Sequence, residues 1–310
     1  MKNQTLDPVF ILYGLSDLPS QRVLLLVIFL LTFLMTVATN LLILLLIVTD
    51  SNLHTPMYFF LGNLATLDVC YSSVTSPRML YDLFSMKNTI NLTACTTQIF
   101  FFVFFLSAEV SLLTIMSYDR YVAICLPLHY IQIMHRKFCA MLTSIAWIIG
   151  FLYSLTHTLL TKRLTFCGPN VIQNFFCDLP QLFQLSCSGV FLNILLIFVF
   201  GGILGMGSFT ITVISYIFIF VSVGKISTNT GKSKGFSTCV THLIVVTSFY
   251  STLFFTYFRP NTSYQFAQDR LISLIYAIIT PFLNPLIYSL RNNVLKKALK
   301  RFQIKSTLLP

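Results

Sequence analysis

Seven apolar stretches, separated by short polar connectors, run the length of the chain. A helix needs about 20 mostly apolar residues to cross some 30 Å of hydrocarbon. The stretches predict spans over about 23–49, 55–80, 96–124, 138–161, 189–223, 235–258 and 270–290. The fifth is longer than one crossing requires, so its ends project into water or the helix tilts. Asp68 in the second span and Glu109 in the third are the only acids deep within these runs. After the seventh, residues 291–302 mix basic and apolar positions as a short amphipathic helix on the inner leaflet would, its cations favouring anionic lipids. The expectation is an all-α integral membrane protein: one seven-transmembrane helix bundle over 1–310. Neither half of the chain duplicates the other, which disfavours a transporter built from repeats.

Composition agrees. Of the 310 residues, 56% are hydrophobic and 9% charged, against about 25% charged in soluble domains. The mean hydropathy of +0.81 excludes a disordered chain. The net charge of +11 is spread between apolar runs rather than gathered in a basic patch, so nucleic acid is not the partner. It reports topology instead. Twelve of the 20 Lys and Arg residues fall on the side that holds the C-terminus, giving it net +10 against +3 for the other side. That side is cytoplasmic and the N-terminus extracellular. The first 22 residues lack the basic flank and cleavage site of a signal peptide, so the first span reads as a retained signal anchor. Glycosylation sequons at Asn3, Asn91 and Asn261 all fall outside, Asn3 being the most usable. Cys95, Cys167, Cys177 and Cys187 also lie outside, where disulfides persist; they allow three pairings. Cys70, Cys125, Cys139 and Cys239 read as free thiols.

Enzyme chemistry finds no foothold. Gly231-Lys232-Ser233 lacks the earlier glycine of a phosphate loop. His129 and His135 have no neighbouring ligand residues, and Cys239 with His242 supplies only two.

A set of motifs then carries a family resemblance. Residues 53–61 (LHTPMYFFL), 116–125 (MSYDRYVAIC) with 127–130 (PLHY), Ser215-Tyr216, 234–243 (KGFSTCVTHL) and 281–292 (PFLNPLIYSLRN) occur in order over nearly the whole chain. Together they resemble the odorant receptors, in their tetrapod (class II) branch, within the rhodopsin-like G-protein-coupled receptors. Thr39, Leu126, Gly235 and Ser251 depart from the usual pattern in small ways.

The resemblance implies a receptor that binds small neutral volatile odorants within the bundle. It further implies a stimulatory olfactory-type G protein and rising cyclic AMP. The expected location is the plasma membrane, as a multi-pass protein, with trafficking accessory proteins among the candidate partners. The expected ligand site is Phe102, Val103, Leu106, Ser107, Phe200, Leu204, Tyr250, Leu253, Phe254, Tyr257, Leu274 and Ala277, with roughly half of these serving as core instead. None is charged. The expected activation switch is Asp119, Arg120, Tyr121, Tyr216, His242, Asn284, Pro285 and Tyr288, with Tyr250 as the toggle beneath the ligand. At about 100° per residue, Phe102, Glu109 and Arg120 share one face of the third helix. Asn40, Asp68, Glu109 and Asn284 are expected to meet in a polar centre that either holds a sodium ion or is purely structural. No other metal or cofactor is expected. The implied disulfides are Cys95–Cys177 and Cys167–Cys187. Two alternatives stand beside this reading: a rhodopsin-like receptor working outside olfaction, and a channel or transporter using Asp68 and Glu109 as an ion path.

Overall fold

The computed structural model describes residues 8–15, 18–168, 170–225, 228–257 and 266–307. Its long helices are α1 (Pro19–Thr49), α2 (Pro56–Ser85), α3 (Leu92–Cys125), α4 (Arg136–Thr161), α5 (Phe191–Gly224), α6 (Asn229–Tyr257), α7 (266–291) and α8 (Asn293–Thr307). Local chemistry sets several of their ends. Pro19 and Pro56 open α1 and α2, where a missing N–H leaves nothing unsatisfied. The Asn91 side chain accepts from Ala94 N–H at 2.9 Å and starts α3 four residues before the expected 96. The His135 Nδ1 accepts from Phe138 N–H at 3.0 Å to start α4. Met86, with φ of 56°, ends α2 in the left-handed region.

Among the described residues, five helices are long and apolar enough to cross a membrane: 21–49, 92–125, 136–161, 191–224 and 270–288. The other two expected spans are as long but more polar. In α2 the polar positions Asp68, Ser72, Thr75 and Ser76 are all buried, turned toward neighbouring helices. In α6 the described apolar stretch is His242–Thr256. Burial separates axis from periphery. In the apolar stretch of α3, 67% of residues are buried, against 6% in α5. Thus α3 runs through the middle of the bundle, packed against α2, α4 and α5.

The all-α expectation needs one correction. Strands β1 (Val9–Leu12), β2 (Thr89–Asn91) and β3 (Val171–Ile172) form a small outer sheet in the order β2-β1-β3. The β1–β2 pair is antiparallel, with Phe10 opposite Ile90, and β1–β3 is parallel. Strand alternation turns Phe10 and Leu12 into the core and leaves Val9 and Ile11 exposed. The tail helix α8 extends to Thr307, five residues beyond the expected 302, and buries Leu295 and Ala298.

Contact between α3 and α4 is close enough to require glycine. A Cβ at Gly150 would stand 2.7 Å from the Phe104 carbonyl oxygen and 3.0 Å from Ala108 N, both backbone atoms. One turn outward, the Ser154 hydroxyl donates to the Phe100 carbonyl at 2.5 Å. Small residues of this kind let membrane helices approach closely. Gly150→Ala should therefore separate α3 from α4 and destabilise the protein by about 1–3 kcal/mol. A clear fall in the melting temperature of the purified protein is expected. Gly205→Ala, with open space around its Cβ, should leave it unchanged.

Candidate functional site

A cavity of about 770 Å³ lies between α3, α4, α5 and α6. Val103, Leu106, Ser107 and Val110 form its α3 wall, and Leu179, from the loop between α4 and α5, lines it as well. That loop is held firmly. Disulfide Cys95–Cys177, with Cα atoms 5.5 Å apart, ties it to the start of α3, and Cys167–Cys187 closes it on itself. Tyr276 of α7 donates to Asp178 Oδ2 at 3.1 Å, and Asn174 donates to Ser273 at 2.9 Å. Outward-projecting loop backbone is thus fixed to two helices.

The cavity reaches from this lid to the inner half of the bundle. Midway, Tyr250 packs edge-on against Phe209 with centroids 5.4 Å apart, and its hydroxyl lies 3.4 Å from Thr114 Oγ1 on α3. Deeper, the wall includes Tyr216 and Leu243. The Tyr216 hydroxyl is 2.6 Å from His242 Nδ1, joining α5 to α6.

Of the twelve expected ligand residues, Val103, Leu106, Ser107, Leu204, Tyr250, Leu253 and Phe254 line the cavity. Four do not. Phe102 is fully buried on the neighbouring face of α3, against Tyr71, Phe176 and Tyr276 at centroid distances of 5.0, 5.0 and 5.8 Å. It plugs the space between α2, α7 and the outer loop. Ala277 is also fully buried, its carbonyl accepting from Thr75 at 3.5 Å. Leu274 packs at the core's margin. Phe200 is half exposed on the outer surface of α5. The π-helical segment Ile197–Gly201 adds a residue to the turn there and rotates the side-chain phase. The side chain of Tyr257 lies outside the described residues, as do Asn3 and Asn261. Tyr153 and Thr247 line the cavity without having been expected; α4 offered no polar motif to single out.

Asp68, Glu109, Asn40 and Asn284 are each 1–2% exposed. Asn284 donates to Asp68 Oδ1 at 3.0 Å, whereas Asn40 is turned back on its own helix, donating to the Thr36 carbonyl at 3.0 Å. Asp68 lies within electrostatic reach of Glu109, whose Oε1 has no hydrogen-bond partner among the described residues. Pro285 follows Asn284 inside α7, and Tyr288 is buried three residues later. No three His, Cys, Asp or Glu side chains cluster as a metal site among the described residues.

At the inner end of α3, Arg120 pairs with Asp119, Nε to Oδ2 at 3.1 Å. Tyr130 donates to the other Asp119 oxygen at 2.8 Å. Burial and the Asp119 charge push the Tyr130 phenol well above its ordinary range, so it remains a donor near neutral pH. Tyr121 packs against Phe218 of α5 at 5.8 Å. Helix α8 is docked by Arg301 on Asp50, at 2.9 Å from Nε, and by Asn292, which accepts from Tyr58 at 3.1 Å. The Arg301 hydrogen bond lowers the Asp50 pKa to about 2. A carboxylate with a depressed folded-state pKa keeps its contribution above its unfolded value and loses it only as pH falls through the folded one. This contact therefore does not respond to pH near neutrality.

Comparison with known proteins fits this geometry. The olfactory receptor family model matches residues 29–306. The chain is 43% identical to Olfactory receptor 1C1 of Homo sapiens over 307 residues, covering 99% of this chain and 98% of that one. It is 46% identical to Olfactory receptor 1G1 of Gorilla gorilla gorilla, covering 97% and 96%. It is 44% identical to Olfactory receptor 5AR1 of Mus musculus, covering 97% of each.

Proposed function

The chain belongs to the olfactory receptor family, and from that premise we propose how this odorant-binding, G-protein-coupled receptor works. It crosses the plasma membrane seven times as one domain, with its N-terminus outside and α8 on the cytoplasmic leaflet. Charge asymmetry supports this orientation, as do the outer disulfides. Helices α2 and α6 complete the five more apolar spans. A neutral odorant occupies the cavity between α3, α4, α5 and α6, touching Val103, Leu106, Ser107, Leu204, Tyr250, Leu253 and Phe254. Among the described residues no charged side chain lines that cavity, and a buried unpaired ion there would be heavily penalised.

One observation carries the mechanism: a single cavity has both Tyr250 and Tyr216 in its wall. A ligand in the outer half changes the packing of Tyr250, which contacts α3 through Thr114. Movement of α6 there is transmitted to the Tyr216–His242 contact. Breaking that contact lets the inner end of α6 swing outward and frees Arg120 for the G protein. The ligand drives this only by binding the open state more tightly than the closed one. The G protein is of the stimulatory olfactory type, and cyclic AMP rises. Accessory proteins assist its passage to the cell surface.

A sodium ion held by Asp68 and Glu109 belongs to the same proposal. Two acids buried together are neutralised by a shared proton or by a cation, and the unpartnered Glu109 Oε1 supports the cation. Oxygen donors suit such a hard ion, and Asn284 supplies another.

Two measurements check this reading. Odorant-evoked cyclic AMP should vanish in Arg120→Ala at matched surface level; a normal response would refute the role of Arg120. Raising sodium at constant ionic strength should lower basal signalling in the parent receptor and leave Glu109→Gln insensitive. An equal sodium response in both would remove the ion from the account.

A further inference from the structure

We infer that the α4 corner of the cavity, built on Tyr153, Gly201 and His157, is a hydrogen-bonding subsite for the oxygen of a neutral alcohol, aldehyde or ketone. The inference rests on the odorant reading above and names the ligand chemistry of that same cavity.

Three polar groups deeper in the cavity are already engaged. Tyr250 has Thr114, Tyr216 has His242, and Thr212 accepts from Ser117 at 3.3 Å. A guest's oxygen directed inward would compete with these bonds. At the outer end the position is reversed. Tyr153 lines the cavity, and its hydroxyl makes no hydrogen bond among the described residues. The phenol owes its place to a glycine. A Cβ at Gly201 would stand 2.7 Å from Tyr153 Oη, so any side chain there displaces the hydroxyl. Gly201 closes the π-helical turn of α5 and itself lines the cavity. Such turns within α-helices are frequent at functional sites.

Behind the phenol stands His157, one turn outward on α4, with ring centroids 4.4 Å apart. It is 1% exposed, and neither ring nitrogen has a partner among the described residues. Asn193, in the first turn of α5 that packs on α4, also has its Nδ2 buried without a partner. Buried polar groups are ordinarily satisfied, and unsatisfied ones mark a missing guest or water. A phenol open to the cavity, backed by a buried imidazole, adds an acidic O–H donor to the aliphatic hydroxyls of Ser107, Thr247 and Ser251 in a wall that is otherwise largely apolar. Tyr153 Oη–H donates to the guest's oxygen; His157 is a positioning residue that holds the phenol ring. The guest is neutral because no lining residue would balance a carboxylate or an ammonium.

The test uses the full-length receptor at the cell surface with medium-chain alcohols, aldehydes and ketones, and the alkene of each chain length. Cyclic AMP and thermal stabilisation of the purified protein are both read. Oxygenated compounds should be the more potent, and Tyr153→Phe should weaken them roughly tenfold while leaving the alkenes unchanged. Gly201→Ala, which shifts the hydroxyl without removing it, should weaken the same compounds selectively. Equal loss for both classes, or no loss in Tyr153→Phe at matched surface level, would overturn the subsite. Silence toward every oxygenated compound, with an Arg120-dependent basal signal present, would also overturn it while sparing the receptor reading. Absence of any Arg120-dependent signal would instead strike the receptor reading.

Discussion

Everything in this bundle is arranged around the burial of α3. A helix inside a membrane satisfies its own backbone bonds, so what remains to be decided is which side chains meet lipid and which meet protein. In α3 most meet protein. That puts three environments on one rod. Toward α2 and α7 it presents Phe102 and Glu109, sealed from solvent. About 100° around, Val103, Ser107 and Val110 face the cavity. At its inner end Arg120 is held by its neighbour Asp119. The glycine contact with α4 and the Cys95–Cys177 bond fix the height of the rod. The cavity wall, the polar centre and the Asp119–Arg120 pair therefore lie along one helix.

The coupling has a physical limit. Binding energy spent equally on both states moves nothing. The side chains able to discriminate are those that change surroundings when α6 moves, and Tyr250 and Tyr216 are placed to do so. Residues between outer loop and α7, such as Asp178 and Tyr276, are instead bonded to each other and serve to keep the lid in place.

Much of this was legible in the residues. Five of the seven apolar runs fall on helices long and apolar enough to cross a membrane, and the motif order identified the family. Cysteine placement gave the outer disulfides once the resemblance chose among three pairings. Other features were not. All four residues of β1, Val9 to Leu12, are apolar, so no alternation signals a strand; its faces are set by β2, β3 and the core beneath. Phe102 was assigned to the ligand by the family resemblance, and helical phase says which residues share its face, not which neighbour that face meets. Phe200, also taken from the resemblance, stands half exposed beside a π turn that shifts the side-chain phase of α5. Tyr153 stayed hidden because a tyrosine in an apolar run reads as packing; only Gly201 opposite it, far along the chain, reveals the space around its hydroxyl.

The central claim is that ligand in the cavity between α3, α4, α5 and α6 moves the inner end of α6 away from α3. Spin labels at the inner ends of α3 and α6 of the receptor in lipid nanodiscs would report that distance. The account predicts a longer-distance population that grows with an activating odorant in step with signalling, and that shrinks when the odorant is withdrawn. An unchanged distance distribution under an odorant that raises cyclic AMP would contradict it.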